Sequence, residues 1–293
     1  MKTITVFTPT YNRGYLLPQL YKSLIVQTNK DFIWLIIDDG SIDDTQELVE
    51  KWQEENKVTI QYIYQENQGM HVAHNTAYKN IKTELNVCID SDDFMPNNAI
   101  ETILDFWSNN NDKNIAGIIG LDADKKGKII GTKIPDYLRE VTLSELYQKH
   151  KVKGDKKLVY RTDIINKYQS YPIFIGEKFV PLDYKYILID QDYKLLPLNK
   201  VLCIVEYLDD GSTQNIFKQY VINPKGFAFS RKVRMKYASN FKELFRNAIH
   251  YVSSSILLKN WSFVKESPKK AITILAIPFG ILLYFYIKIK TIR

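Results

Sequence analysis

No glycine-rich phosphate cradle occurs in this 293-residue sequence: it has neither a GxGxxG run after its first strand-like segment nor a GxxxxGK[S/T] anywhere. The two common ways of holding a diphosphate on backbone amides are therefore missing, which disfavours a dinucleotide-dependent dehydrogenase and a P-loop NTPase. Cysteine is scarce as well. Cys88 and Cys203 stand alone in apolar runs, without a CxxC or a Cys/His cluster. A disulfide framework and a zinc centre both lack their residues, and a reducing compartment fits. Internal repeats and low-complexity tracts are absent, and the opening MKTITVFTPT runs straight into a strand-like segment, so no secretory signal is expected.

What is present is an ordinary globular composition, 45% hydrophobic and 25% charged, enough for one large domain with an appendage or for two small ones. The 20 tyrosines and 14 phenylalanines suit carbohydrate stacking, but core packing is the favoured account of them. The net charge of +7 hides an asymmetry: residues 218–293 carry 15 Lys/Arg against 2 Asp/Glu, and the remainder 25 against 31. A basic tail on an acidic body points to an anionic partner.

Two periodicities alternate over the first 120 residues. Segments 4–8, 32–37, 60–64, 85–89 and 115–121 are short and rich in β-branched and aromatic residues. Between them, 15–27, 45–56, 70–81 and 97–107 carry helical spacing, with Asp43-Asp44-Thr45 as a capping signal. This alternation predicts an α/β fold with a largely parallel sheet covered on both faces. Further on, 142–150 and 161–168 read as short helices, 151–157 as a solvated basic loop and 200–206 as a strand. Beyond a boundary near Gln214 the chain reads as helical and basic, giving domains 1–213 and 214–293.

In an open α/β sheet, ligands bind beyond the carboxyl ends of the strands. Those ends here read Thr8-Pro9-Thr10-Tyr11-Asn12-Arg13, Asp38-Asp39-Gly40-Ser41, Glu66-Asn67-Gln68-Gly69 and Asp90-Ser91-Asp92-Asp93. Three aspartates in four positions repel one another, and Mg²⁺ or Mn²⁺ relieves that repulsion through carboxylate and phosphate oxygens. Helix capping near Asn97 is the plainer reading of these residues, and a turn is the plainer reading of the Asp38–Asp39 cluster.

The ordered set TPTYNRGYLLPQLYKSLIVQT, FIWLIIDDGSIDDT, ENQGMHVAHNTA and VCIDSDDFMP resembles the family 2 glycosyltransferases of the GT-A fold, over about the first 100 residues. The resemblance implies inverting transfer from a nucleotide-sugar, usually a UDP-sugar, with Mn²⁺ or Mg²⁺ on the diphosphate. By the same carry-over, Thr8, Pro9, Tyr11 and Arg13 line the nucleoside side, and Asp39 holds the uracil N3–H. Asp90 contacts ribose or metal, Ser91 lies between the acids, and Asp92 is the principal metal ligand. Where many members carry a basic residue after the third strand, this chain has Gln68-Gly69-Met70, with His71 and His74 as the only basic side chains nearby. The general base implied by the family falls in Gly176-Glu177-Lys178-Phe179-Val180-Pro181-Leu182-Asp183. Leu182 stands where the similar bacterial subgroup has an acid, so Asp183 and Glu177 are both candidates. The loop 207–213 is similar to one that closes over the donor.

The apolar run 271–287, interrupted at Pro278 and Gly280 and flanked by lysines, is short for a span. It suits peripheral contact with an anionic membrane, and a buried C-terminal helix is the competing reading. No nucleic-acid reader motif is present, so nucleic acid is not an expected partner. The resulting expectation is a cytoplasmic glycosyltransferase at the inner membrane face, acting on a saccharide or lipid-linked saccharide. The rivals are a sugar nucleotidyltransferase, which wants a Gly-rich, Lys/Arg-bearing first loop that TPTYNRG does not supply, and a binding protein that kept the fold.

Overall fold

The structure is a computed structural model that describes residues 2–110, 112–206 and 216–292. In chain order the elements are β1 (Ile4–Thr10), α1 (Leu17–Ile25), β2 (Phe32–Asp38), α2 (Thr45–Glu55), β3 (Ile60–Tyr64), α3 (Met70–Asn80), β4 (Leu85–Cys88) and α4 (Ala99–Asn110). They continue as β5 (Ile115–Ala123), α5 (Leu143–Gln148), β6 (Lys156–Arg161), α6 (Thr162–Lys167), α7 (Asp183–Ile189) and β7 (Lys194–Ile204). Five helices follow: α8 (Ile216–Ile222), α9 (Pro224–Lys236), α10 (Phe241–Leu257), α11 (Phe263–Glu266) and α12 (Lys270–Ile292). The chain divides into two compact units, Met1–Ser170 with Leu188–Tyr207, and Tyr171–Ile187 with Leu208–Arg293. The boundary expected at Gln214, like the 207–213 loop, lies outside the described residues.

The first unit is built on a seven-stranded sheet ordered β3-β2-β1-β4-β6-β5-β7. β1 pairs in parallel with β2 and β4, β2 with β3, and β5 with β7, while β6 runs antiparallel between β4 and β5. The α/β expectation holds. β1 and β5 are buried along their whole length, as strands covered on both faces should be. Tyr21, Trp34 and Trp52 stack in series beneath the helices, with Tyr21 and Trp52 centroids 4.4 Å apart.

Two expectations are corrected. Asp44 occupies the N-cap of α2 but makes no capping bond; Asp43 accepts from the Thr45 amide and hydroxyl instead. The basic loop ends at residue 155, because Lys156 and Lys157 open β6. Lys156 is buried with its ammonium donating to the carbonyls of Ile130, Lys153, Gly154 and Asp155, so its charge is met by dipoles rather than water.

In the second unit, α12 continues as one helix through Pro278. Pro278 cannot donate to the carbonyl of Ile274, a residue 54% exposed and open to water. One stripe of α12 packs on α10: Thr273, Ala276 and Ile287 are buried, and a Cβ on Gly280 would meet Val252 Cγ1 at 2.4 Å. The opposite stripe, with Leu275, Leu282 and Phe285, is exposed, and half-exposed Phe279 borders it with its ring 5.5 Å from that of Phe245 on α10. Both halves of the sequence expectation thus have a physical counterpart, a packed helix that keeps an apolar outer face.

Candidate functional site

The carboxyl ends of the adjacent strands β2, β1 and β4 carry the expected residues of the first unit. Past β1 the chain turns at Asn12, whose φ is 51°. Its amide donates to Ser41 Oγ and its Oδ1 accepts from the Ile42 amide, each at 2.8 Å, which ties the first strand-end loop to the second. The Gly14 amide adds a bond to Asp43 Oδ2 at 2.9 Å. This lacing holds Arg13, which donates from Nη1 to Asp92 Oδ2 at 3.0 Å. Thr8 and Pro9 are buried, Thr8 accepting from the Trp34 indole, while Tyr11 is exposed.

After β2, Asp38 accepts from the Ser41 amide and the Tyr62 hydroxyl, which makes it a turn residue. Asp39 is buried and differently engaged. Its Oδ1 accepts from Gln65 Nε2 (2.7 Å) and the Gln68 amide (3.0 Å), and its Oδ2 from the Gly69 amide (2.7 Å). A carboxylate offers about four acceptor positions, so one on Oδ2 is left for a ligand N–H. Gly40 lets this turn form: its φ is +89°, and a Cβ there would meet the Asn67 amide nitrogen at 2.8 Å.

Beyond β4 lie Asp90, buried Ser91, Asp92 and Asp93. Burial, reinforced by the charge of Asp90, raises the Asp92 carboxyl despite its Arg13 partner. Asp93 is pushed up to about 7, chiefly by burial and then by Asp90 and Asp92, with Lys157 opposing. Asp93 does not cap α4; it turns towards β7 and accepts from the Glu206 amide at 3.2 Å.

Lys157 was not singled out from the sequence. It is the first β6 residue on the face shared with buried Val159, and antiparallel β6 delivers it beside the end of β4. Its Nζ donates to the Cys88 carbonyl at 3.4 Å and stands 3.9 Å from Asp93 Oδ2. Burial disfavours its charge, but Cys203 and then Asp122, Asp93 and Asp90 outweigh that and hold the ammonium well above its ordinary range. The apolar LVY directly after the two lysines was the available signal. Buried Asp122, whose Oδ1 has no partner, was likewise missed.

The histidines after β3 do not replace the missing cation. His71 is buried, its pKa pushed down to about 4, and neither ring nitrogen has a partner. His74 is buried edge-on against Phe7 at 5.0 Å. α3 buries both side chains.

Glu177 and Asp183 belong to the second unit. The Glu177 oxygens accept from the Lys225 and Gly226 amides in the first turn of α9, both at 2.9 Å, which anchors the 174–180 segment. Asp183 opens α7; its Oδ2 pairs with Arg234 Nη2 at 2.5 Å, and its Oδ1 has no partner. Among the described residues, no three His, Cys, Asp or Glu side chains form a metal cage. Asp90 and Asp92 still fit a hard divalent cation, since two half-buried carboxylates separated by one residue offer oxygen donors to an ion that completes its shell from phosphate.

An uncharacterized glycosyltransferase of Rickettsia conorii is 38% identical over 108 residues, 37% of this chain and 18% of that protein, so the chain spans under a fifth of this relative. Poly(ribitol-phosphate) beta-N-acetylglucosaminyltransferase TarP of Staphylococcus aureus is 27% identical over 215 residues, 66% of this chain and 64% of TarP. Among solved structures, S. aureus TarS 1–349 in complex with UDP-GlcNAc superposes with a TM-score of 0.62 at 16% identity, covering 97% of this chain and 90% of that one. The mannosyltransferase PcManGT of Pyrobaculum calidifontis, in complex with GDP-Man and Mn²⁺, gives 0.57 at 15% identity, covering 98% and 82%. These likenesses establish a shared fold, the GT-A type expected from the motifs. The model of the family described as Glycosyl transferase family 2 matches residues 5–169, more than half of the chain, and the chain belongs to that family.

Proposed function

We propose that this chain is an inverting glycosyltransferase that takes a sugar from a UDP-sugar and passes it to a saccharide or lipid-linked saccharide acceptor of a cell-envelope polysaccharide. The observation that carries the reading is the Asp90–Asp92 pair, with Arg13 on Asp92, at the carboxyl ends of strands whose loops are laced together. The remaining Oδ2 position of Asp39 accepts the uracil N3–H, and Pro9 and exposed Tyr11 flank the base. Thr8 and Ser91, both buried, shape the backbone of the two loops that face the nucleotide. Asp90 and Asp92 would hold Mn²⁺ or Mg²⁺, which supplies charge neutralisation of the departing diphosphate.

Arg13 keeps the Asp92 carboxylate in place and adds positive charge on the phosphate side. Asp183 is the base we favour, because one of its oxygens, though buried, has no hydrogen-bond partner, while both Glu177 oxygens are spent on backbone amides. In the transfer, the acceptor hydroxyl gives its proton to Asp183 as its oxygen bonds to the anomeric carbon. The bond from that carbon to the diphosphate breaks on the opposite face. The donor chemistry named for TarS and PcManGT supports a nucleotide-sugar, and the free cysteines support a cytoplasmic site. The exposed face of α12 supports peripheral contact with an anionic membrane.

The experiment is a donor-hydrolysis screen across nucleotide-sugars with Mn²⁺ and with EDTA, paired with calorimetry of UDP binding. UDP binding should require the cation and be lost in Asp92→Asn with the melting temperature kept. UDP binding that is unchanged in EDTA sinks the metal-dependent reading. Binding without turnover of any donor favours a non-catalytic protein on this fold.

A further inference from the structure

The sequence 231–236, RKVRMK, reads as charge for a membrane surface, yet two of its cations turn inward. Arg231 on α9 donates from Nη1 to Oδ1 of buried Asn247 on α10 at 2.9 Å. Arg234, one turn further along α9, pairs with Asp183 through Nη2, while its buried Nε has no partner. Arg246 precedes Asn247 on α10, and His250, one turn on, lies against the Tyr220 ring with centroids 5.7 Å apart. These groups sense one another. Arg231 is pushed down to about 10 by burial and then by Arg234 and Arg246. His250 is pushed down to about 3 by burial and then by all three arginines, so it stays neutral.

Among the described residues of the second unit, negative charge does not balance this. Among the described residues of the second unit there are four carboxylates, Glu177, Asp183, Glu243 and Glu266. Glu177 is bound to the α9 amides, Glu243 to Ser239, and Glu266 faces Lys232 and Asn260. Among these described carboxylates, Asp183 is the one left to face the three guanidiniums. Uncompensated cations in a partly buried cluster are costly unless an anion completes them. The planar guanidinium fork matches phosphate oxygens, and Arg234 has one donor, the buried Nε, without a hydrogen-bond partner.

We propose that Arg231, Arg234 and Arg246 form a binding site for a phosphoryl group carried by a substrate. The site needs no divalent cation, since its positive charge comes from the chain itself. It places a phosphate beside Asp183, but it stands on the arginine geometry whether or not Asp183 is the base.

The test uses the full chain and inorganic pyrophosphate in EDTA, where the Asp90–Asp92 carboxylates repel an anion. Calorimetry should show binding, and pyrophosphate should raise the melting temperature. Arg246→Gln, at an exposed position, should weaken binding about tenfold, the loss of one charge-assisted contact, and Arg246→Lys should restore most of it. Arg231→Gln with Arg246→Gln should weaken it further; if that variant unfolds, the single substitution still decides. Asp92→Asn should leave pyrophosphate binding in EDTA unchanged, which separates this site from the donor-site reading. The source of the phosphate follows from kinetics of Arg246→Gln. A parallel loss of UDP affinity in Mn²⁺ assigns the site to the donor diphosphate. Unchanged UDP affinity with a raised KM for a phosphorylated acceptor assigns it to the acceptor. No pyrophosphate binding by the wild type at millimolar concentration, equal binding by Arg246→Gln, or loss of binding in Asp92→Asn each overturns the proposal.

Discussion

Lys157 shows how one buried charge sets the proton affinity of the strand-end acids. Asp93 titrates near 7 where an ordinary aspartate titrates near 4, so the folded chain binds a proton that the unfolded chain releases across that window. Its contribution to stability is therefore fully present below about pH 4 and is lost as the pH rises through 7. Replacing Lys157 by Met removes the largest charge that opposes this, and takes one of two opposing cations from Asp122. Lys157→Met should cost about 3–5 kcal/mol at pH 8 and clearly less at pH 5.5, read from denaturant melts at the two values. An equal loss at both would mean that packing, not charge, is what Lys157 supplies. Asp39 makes a second residue-scale case. Asp39→Asn keeps the size of the side chain but replaces one acceptor oxygen by a donor. UDP affinity should fall about tenfold, the worth of one charge-assisted bond, and CDP affinity, which needs no N3–H acceptor, should fall less. Calorimetry with both nucleotides decides, and equal losses would reduce Asp39 to a loop-holding role. The acidic half of this site was readable because short polar clusters followed apolar strands. Lys157 was not, since a lysine next to a basic loop looks solvated until β6 is placed against β4.

At the scale of elements, strands β1 to β5 stood out by β-branched, apolar runs, and α1 to α4 by helical spacing and turn residues. The missed elements failed for definite reasons. β6 starts on two lysines, and its antiparallel insertion breaks the βαβ rhythm. α7, with the sequence DYKYILI, is only 7 residues long, too short for a helical period to declare itself. Continuity of α12 through Pro278 was also unexpected, and packing explains it. The contact at Gly280 draws α12 onto α10 closely enough that no side chain fits between them. Gly280→Leu should therefore push the helices apart and destabilise the second unit by about 1–3 kcal/mol, although leucine is the better helix former. A higher melting temperature in this variant would mean that intrinsic propensity, rather than the α10–α12 contact, governs the helix.

On the scale of the whole molecule, sequence order hid one assignment: 171–187, which carries Glu177 and Asp183, belongs with the C-terminal helices rather than with the sheet. That unit also holds the apolar face on which the proposed membrane contact depends. Leu275, Phe279, Leu282 and Phe285 are 60, 50, 67 and 57% exposed, on a helix long and apolar enough to cross a bilayer by length and composition. The buried stripe on α10 argues for a helix lying in the interface instead, since Thr273, Ala276 and Ile287 are already covered by protein. Burying the exposed side chains among lipid would contribute roughly 1–2 kcal/mol each, and Lys270, Lys288 and Lys290 about 1 kcal/mol each at an anionic surface. Deleting α12 is a poor test, because it also uncovers Tyr251 and Val252 of α10. Leu275→Glu with Leu282→Glu changes only the outer face. Co-sedimentation with vesicles containing phosphatidylglycerol should fall about a hundredfold in partition coefficient, with the melting temperature and Mn²⁺-dependent UDP binding both kept. If the wild type stays in the supernatant, the face is not a membrane element. If the variant still sediments like the wild type, the basic residues alone account for the attachment.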